Sequence, residues 1–394
     1  MKTNIPERIA ALREAMRQQK VDAYIIPSSD PHLSEYPADR WKSREWISGF
    51  TGSAGTIVVT ADKAGLWTDS RYFLQAASQL EGSGIELYKL ALPETPSITE
   101  FLLHELHAGQ AVGLDGQTYS AAEASALANK LSRKEIKLDT SADLIGGIWK
   151  DRPAVPGNPI FEMPEALSGA SVHEKLDLIN NQLRSEGADC LILAALDEIA
   201  WTFNIRGTDV TYNPVVVSYA FVSEDESVLF IKPEKLTAEI TEHLKKEGVT
   251  LAEYSMIQRY LSRLPENSRV FVDMNKTNVS LYDAIPGNCT IVEGISPANH
   301  LKSIKNETEI KGFQNAVVKD GVALTKFYIW LEKQMAEGTQ VTEISAAEKL
   351  TALRAEQPQY IMDSFGTICG YAEHGAIVHY SATPETDATL KPEG

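Results

Sequence analysis

The segment RIAALREAMRQQKVDAYIIPSSD (residues 8–30) returns in altered form as EKLDLINNQLRSEGADCLILAALD (174–197). At a constant offset, Leu12 answers Ile179, Met16 answers Leu183, Asp22 answers Asp189 and Asp30 answers Asp197. In each copy, apolar residues at helical spacing give way to a short apolar run that reads as a buried strand. Each then pairs a Trp with a glycine before a loop, in REWISGF (44–50) and DEIAWTFNIRG (197–207). Two apolar stretches follow in both: TIVVT (56–60) and GLWTD (65–69), then PVVVSYAFV (214–222) and SVLFI (227–231). Self-similarity of this depth implies two homologous units, and the alternation of helix and strand makes the fold class α/β. The expected boundaries are 1–150 and 151–304, joined by DRPAVPGNPIF (151–161), which has the prolines and glycine of a stiff linker.

A third region, 305–394, is expected to hold a long amphipathic helix over 307–338, with Val317, Val318, Gly321, Leu324, Phe327 and Leu331 on its apolar face. A second helix over 342–357 has Thr342 as its N-cap and Ser345 nearby. The strings SFGTICG (364–370) and GAIVHY (375–380) are expected to pair as strands.

Composition excludes several classes of partner. The 394 residues carry 37 Lys+Arg against 54 Asp+Glu, a formal net charge of −17, which argues against nucleic acid as a general partner. No stretch approaches the roughly 18 continuous apolar residues of a membrane span, and the charged start MKTNIPERIAALREAM is not a signal peptide. Cys190, Cys289 and Cys369 lie far apart and form no CxxC pair, so neither a disulfide framework nor a cysteine metal site is expected. A reducing cytoplasm is the simplest home.

Four strings invite a chemical reading. GFTGSAG (49–55) has the wrong glycine spacing for a nucleotide loop, and a strand follows where a phosphate-binding helix should begin, so it reads as a tight turn. His104-Glu105-Leu106-His107 is one residue short of a zinc-protease HExxH and reads as solvent-facing helix. Arg71 in WTDSRYF (67–73) is either a local ion pair with Asp69 or a fixed guanidinium that receives a carboxylate or carbonyl oxygens. His374 and His379, five apart on the expected strand, would point to opposite faces, with His379 on the face of Ile377.

Long strings in order along the chain resemble the Xaa-Pro aminopeptidases (aminopeptidase P) of the large three-domain type. They are AYIIPSSDPHLSEY (23–36), WISGFTGSAGTIVVT (46–60), LWTDSRYFLQAA (66–77), IWKDRP (148–153), ALDEIAWTFNIRGTDVTYNPV (195–215), TEISAAEKL (342–350) and HGAIVHYSATPET (374–386). The resemblance implies two creatinase-type N-terminal domains followed by a pita-bread (α+β) metallopeptidase domain, of which 305–394 would be the beginning. It implies release of the N-terminal residue from peptides with proline at position two, two divalent metal ions, usually manganese, and a homodimer built through the catalytic domain. It also implies that Arg71, in DSRYF, binds the peptide, that His379, in GAIVHY, binds substrate near the scissile bond, and that Phe365 lines the substrate pocket.

The family's metal ligands are two aspartates, one histidine and two glutamates, the first in a DSGAQY-like string after the position of His379. No DSG string occurs in this chain. The expectation is therefore that the chain stops just before its chemistry: it binds no metal and has no aminopeptidase activity by itself, even with manganese added. A non-catalytic peptide- or protein-binding module of the same fold is the alternative.

Overall fold

The computed structural model describes residues 4–393, which form two compact units. The first comprises the residues up to Glu165, Ala170–Thr211 and Val215–Ile304; the second comprises Ala166–Gly169, Tyr212–Pro214 and the residues from Lys305 on. Among the described residues no helix is long and apolar enough to cross a membrane.

The first unit contains two six-stranded sheets. One is built from β1 (Ala23–Ile26), β2 (Thr56–Thr60), β3 (Ala64–Thr68), β4 (Glu86–Lys89), β5 (Ala111–Leu114) and β6 (Lys137–Asp139), in the order β4-β3-β2-β1-β5-β6. After β7 (Phe161–Glu162) comes the second sheet, from β8 (Cys190–Leu193), β10 (Ser218–Ser223), β11 (Ser227–Ile231), β12 (Val249–Ala252), β13 (Arg269–Val272) and β14 (Thr290–Glu293). Its order is β12-β11-β10-β8-β13-β14, while β9 (Ile205–Arg206) pairs only with β7. In both sheets three strands run antiparallel, β1-β2-β3 and β8-β10-β11, with only β2–β3 and β10–β11 joined as hairpins, and the remaining neighbours run parallel.

The repeated sequence positions do the same work in each copy. Helix Ile5–Gln19 buries Leu12 and Met16, and helix Val172–Glu186 buries Ile179 and Leu183. Each such side chain contributes about 1.5–3 kcal/mol by leaving water. The helices end on left-handed residues, Lys20 and Gly187. The next strand enters through Asp22 or Asp189. Asp22 Oδ2 accepts the Ala111 N–H (2.9 Å), and Asp189 Oδ2 accepts the Arg269 N–H (2.7 Å). One carboxylate per copy thus ties the first strand to its parallel neighbour.

Val215–Val217, expected at the start of a strand, instead form a buried loop ahead of β10. Asp209 Oδ2 takes the Val217 N–H (2.7 Å), which removes that donor from any ladder.

His32 is sealed between the two sheets of the first unit. Its Nδ1 faces the Ala194 carbonyl (2.9 Å) and its Nε2 faces the Tyr254 hydroxyl (2.9 Å). The carbonyl only accepts, so Nδ1 carries the hydrogen and Nε2 accepts from the tyrosine. Burial holds His32 below the usual imidazole range, against the opposing pull of Asp30 and the Ala194 carbonyl. The unfolded chain takes up this proton below about pH 6.5 while the folded chain resists. The stabilisation is therefore complete above that pH and is lost as pH falls toward the folded value. Between pH 7 and pH 5 the unfolding midpoint is expected to fall more steeply in the wild type than in His32→Phe; parallel curves would contradict this.

In the second unit, helix Glu307–Glu337 begins with a capping box on Asn306 and ends on left-handed Gly338. Its expected apolar face is largely solvent-facing: Val317 is 70% exposed and Val318 66%, and Ala323 is its one buried residue. Helix Glu343–Ala355 packs against it through the Arg354–Asp320 ion pair (2.7 Å) and starts on the expected N-cap Thr342, which forms a reciprocal capping box with Ser345.

The expected strand pair is not formed. Residues 364–370 are irregular, and 372–376 make a 3-10 turn. Ala372 (φ 53°) and His379 (φ 58°) adopt left-handed backbone, which interrupts the extended run a ladder requires. The Tyr371 N–H binds a side chain, Glu343, rather than a neighbouring strand.

Candidate functional site

Arg71 lies on the short 3-10 turn Ser70–Tyr72 directly after β3. Asp69 caps this turn by accepting the Arg71 N–H (3.1 Å), and its two carboxylate oxygens take Nε and Nη2 at 2.8 Å each. The local ion pair is thus present, and its fork geometry holds the guanidinium half-exposed rather than burying it. The residue sits on the wall of a cleft of about 560 Å³. The cleft opens at the carboxyl ends of β1 and β5, where Ser28, Glu35, Ser53, Thr118 and Glu123 also contribute. Ligand sites in α/β sheets gather at this end of the strands.

The glycine-rich turn beside the cleft is a structural cradle. Buried Arg44 donates from Nη1 to the Phe50 carbonyl (2.6 Å), from Nη2 to the Gly52 carbonyl and from Nε to Ser28 Oγ (2.9 Å). A Cβ on Gly52 would lie 2.3 Å from the Phe50 ring and 2.7 Å from the Tyr72 ring, so only glycine lets the chain pass. Ser53 is engaged by the Tyr72 hydroxyl (2.6 Å). His104 and Glu105 form a surface pair with Lys63.

Phe365 and His379 belong to the second unit. Phe365 is 50% exposed in the irregular stretch, and His379 is half-buried in a turn, not on a strand face shared with Ile377. A constellation that sequence reasoning missed holds this stretch together. Glu343, the first residue of its helix, is fully buried. Its Oε1 accepts the Tyr371 N–H (2.6 Å) and His374 Nδ1 (2.9 Å); its Oε2 accepts the Tyr380 hydroxyl (2.9 Å) and the Ala388 N–H (3.1 Å). The His374 ring stacks on Tyr380 with centroids 4.5 Å apart. Burial alone would raise the Glu343 carboxyl, but these four donors outweigh it and hold the group below its ordinary value. His374 and Tyr380, immediately flanking Gly375–His379, are thereby fixed to one carboxylate. The sequence signal was faint: a glutamate after an N-cap threonine is ordinary, and its partners are far along the chain.

Among the described residues, no group of three or more His, Cys, Asp and Glu side chains gathers that could hold a metal ion.

Residues 8–145 and 151–309 each match the Creatinase/Prolidase N-terminal domain. A probable Xaa-Pro aminopeptidase P of Laccaria bicolor is 38% identical over 399 residues, covering 99% of this chain and 61% of the relative. The aminopeptidase P2 of Arabidopsis thaliana is 36% identical, covering all of this chain and 60% of the relative. The crystal structure of the X-prolyl aminopeptidase of Caenorhabditis elegans, described as a cytosolic enzyme with a di-nuclear active site, superposes with a TM-score of 0.93 at 30% identity, over 99% of this chain and 66% of that one. The chain thus spans about three fifths to two thirds of the length of these relatives. Both halves of the repeat match one domain family, and likeness to these enzymes continues through the second unit: the chain belongs to the Xaa-Pro aminopeptidase (aminopeptidase P) family.

Proposed function

We propose that this chain serves a cytoplasmic Xaa-Pro aminopeptidase, which releases the N-terminal residue from peptides with proline at position two. The observation that carries this reading is the collinear likeness over 99% of the chain to Xaa-Pro aminopeptidases, with the same backbone course. In this reading Arg71 grips the peptide beyond the scissile bond. Its guanidinium, held by Asp69 in a bidentate fork, stays half-exposed on the cleft wall, where a peptide oxygen can reach it. His379 would donate a hydrogen bond near the scissile carbonyl, and half-exposed Phe365 would offer an apolar wall to the peptide's side chains.

Two divalent ions, manganese, would supply the activated water in the whole enzyme, which would also be a homodimer. The described residues do not fit that pair of ions, because no donor set gathers. The part assigned to this chain is therefore to bind and orient the peptide. The 394 residues are expected to bind Xaa-Pro peptides without cleaving them, and Arg71→Ala is expected to weaken binding about tenfold, as loss of a charge-assisted bidentate contact does. Calorimetric titration of both proteins with one Xaa-Pro peptide checks this; equal affinities would remove Arg71 from the site.

A further inference from the structure

We propose that the cleft at the carboxyl ends of β1 and β5 selects, among Xaa-Pro peptides, those with a lysine or arginine downstream of the proline; this rests on the reading that Arg71 holds the peptide. With about 560 Å³, the cleft falls within the range of small-ligand pockets. Its hydroxyls are largely committed to the fold. Ser28 donates to the Gly55 carbonyl (2.7 Å) and accepts from Arg44, Ser53 meets Tyr72, and Thr118 donates to the Asp115 carbonyl (3.0 Å). The discriminating groups are therefore the charged ones.

Arg71 has its charge matched by Asp69. That leaves two carboxylates in the wall, Glu35 and Glu123. Glu123 is held in place, because its Oε2 accepts the Ser120 hydroxyl (2.8 Å) while Ser120 Oγ accepts the Glu123 N–H (3.1 Å). Glu35, an exposed side chain, lines the same opening as Arg71. A peptide backbone engaged by Arg71 brings its next side chains into this opening. An ammonium or guanidinium there gains two negative partners, of which Glu123 is fixed, and a carboxylate meets them as like charges. Because the cleft is open to water, the preference must weaken as salt rises.

The test is calorimetric titration of the full chain with three Xaa-Pro peptides of equal length that differ only in carrying Lys, Gln or Glu downstream of the proline. The Lys peptide is expected to bind about tenfold more tightly than the Gln peptide at low salt, with the Glu peptide weakest. The preference is expected to shrink at high salt and to vanish in the E35Q/E123Q variant. Circular dichroism checks the folding of that variant, and E35Q alone, at an exposed position, is expected to lose part of the preference. Equal binding of Lys and Gln peptides, or a preference that survives E35Q/E123Q, overturns the inference while leaving the Arg71 reading intact. No binding of any peptide overturns both.

Discussion

Replacing Glu343 by alanine is expected to destabilise the second unit by about 2–4 kcal/mol, the cost of leaving one buried and three part-buried donors without their charged acceptor. Four groups lose this acceptor at once: the Tyr371 and Ala388 N–H, His374 Nδ1 and the Tyr380 hydroxyl, which keeps only Thr386 (Oγ1 at 3.2 Å). Glu343→Gln keeps the shape but presents an amide to donors on one side, so a smaller loss is expected. The effect should reach function, because the same carboxylate fixes the residues on either side of the Gly375–His379 turn. Hydrogen exchange at helix Glu343–Ala355 reads the stability, and peptide titration reads the site. The sign with pH also follows. A carboxyl held below its ordinary value stabilises fully above the unfolded value, and that contribution is lost as pH falls through the folded value. Glu343→Ala should therefore lie well below the wild type at neutral pH, with the gap narrowing in acid. Unchanged protection of the helix in Glu343→Ala would contradict this role.

In the first unit the largest effect is expected at Lys235. Its ammonium pairs with Asp209, and both side chains are essentially inaccessible to water. Burial lowers the Lys235 pKa, and the Asp209 charge opposes that. Lys235→Met leaves a buried carboxylate with only the Val217 N–H at Oδ2 and nothing at Oδ1. A loss of about 3–5 kcal/mol is expected, the range found when one partner of a buried ion pair is removed. Adding Asp209→Asn should recover much of it. Denaturant unfolding of the two variants checks both statements; a cost below about 1 kcal/mol for Lys235→Met would mean that water reaches the pair.

Both effects arise where the sequence was hardest to read, for a definable reason. The repeat was legible because burial repeats with it: Leu12 and Ile179 are fully buried, and the two linking aspartates perform one task. The outer parallel strands were not read. β4, β6, β12 and β14 have three or four residues each and are only partly covered, so they offer too few positions for a period to register. GAIVHY misled in the opposite direction. Its apolar run reads as a strand, but the left-handed backbone at His379 and the pull of Glu343 on the flanking residues bend it into a turn. Glu343 was missed because its partners lie 28 to 45 residues away, beyond any local pattern. Arg71 was read as one of two alternatives; the fold realises the ion pair and also sets it on the wall of a cleft.

The proposal for this chain joins peptide binding at Arg71 to the absence of a gathered set of metal ligands among residues 4–393. The most direct measurement is hydrolysis of an Xaa-Pro peptide by the 394-residue protein in the presence of manganese, with binding of the same peptide followed in parallel. Saturable binding and no release of the N-terminal residue are expected. Turnover that a chelator abolishes would contradict it.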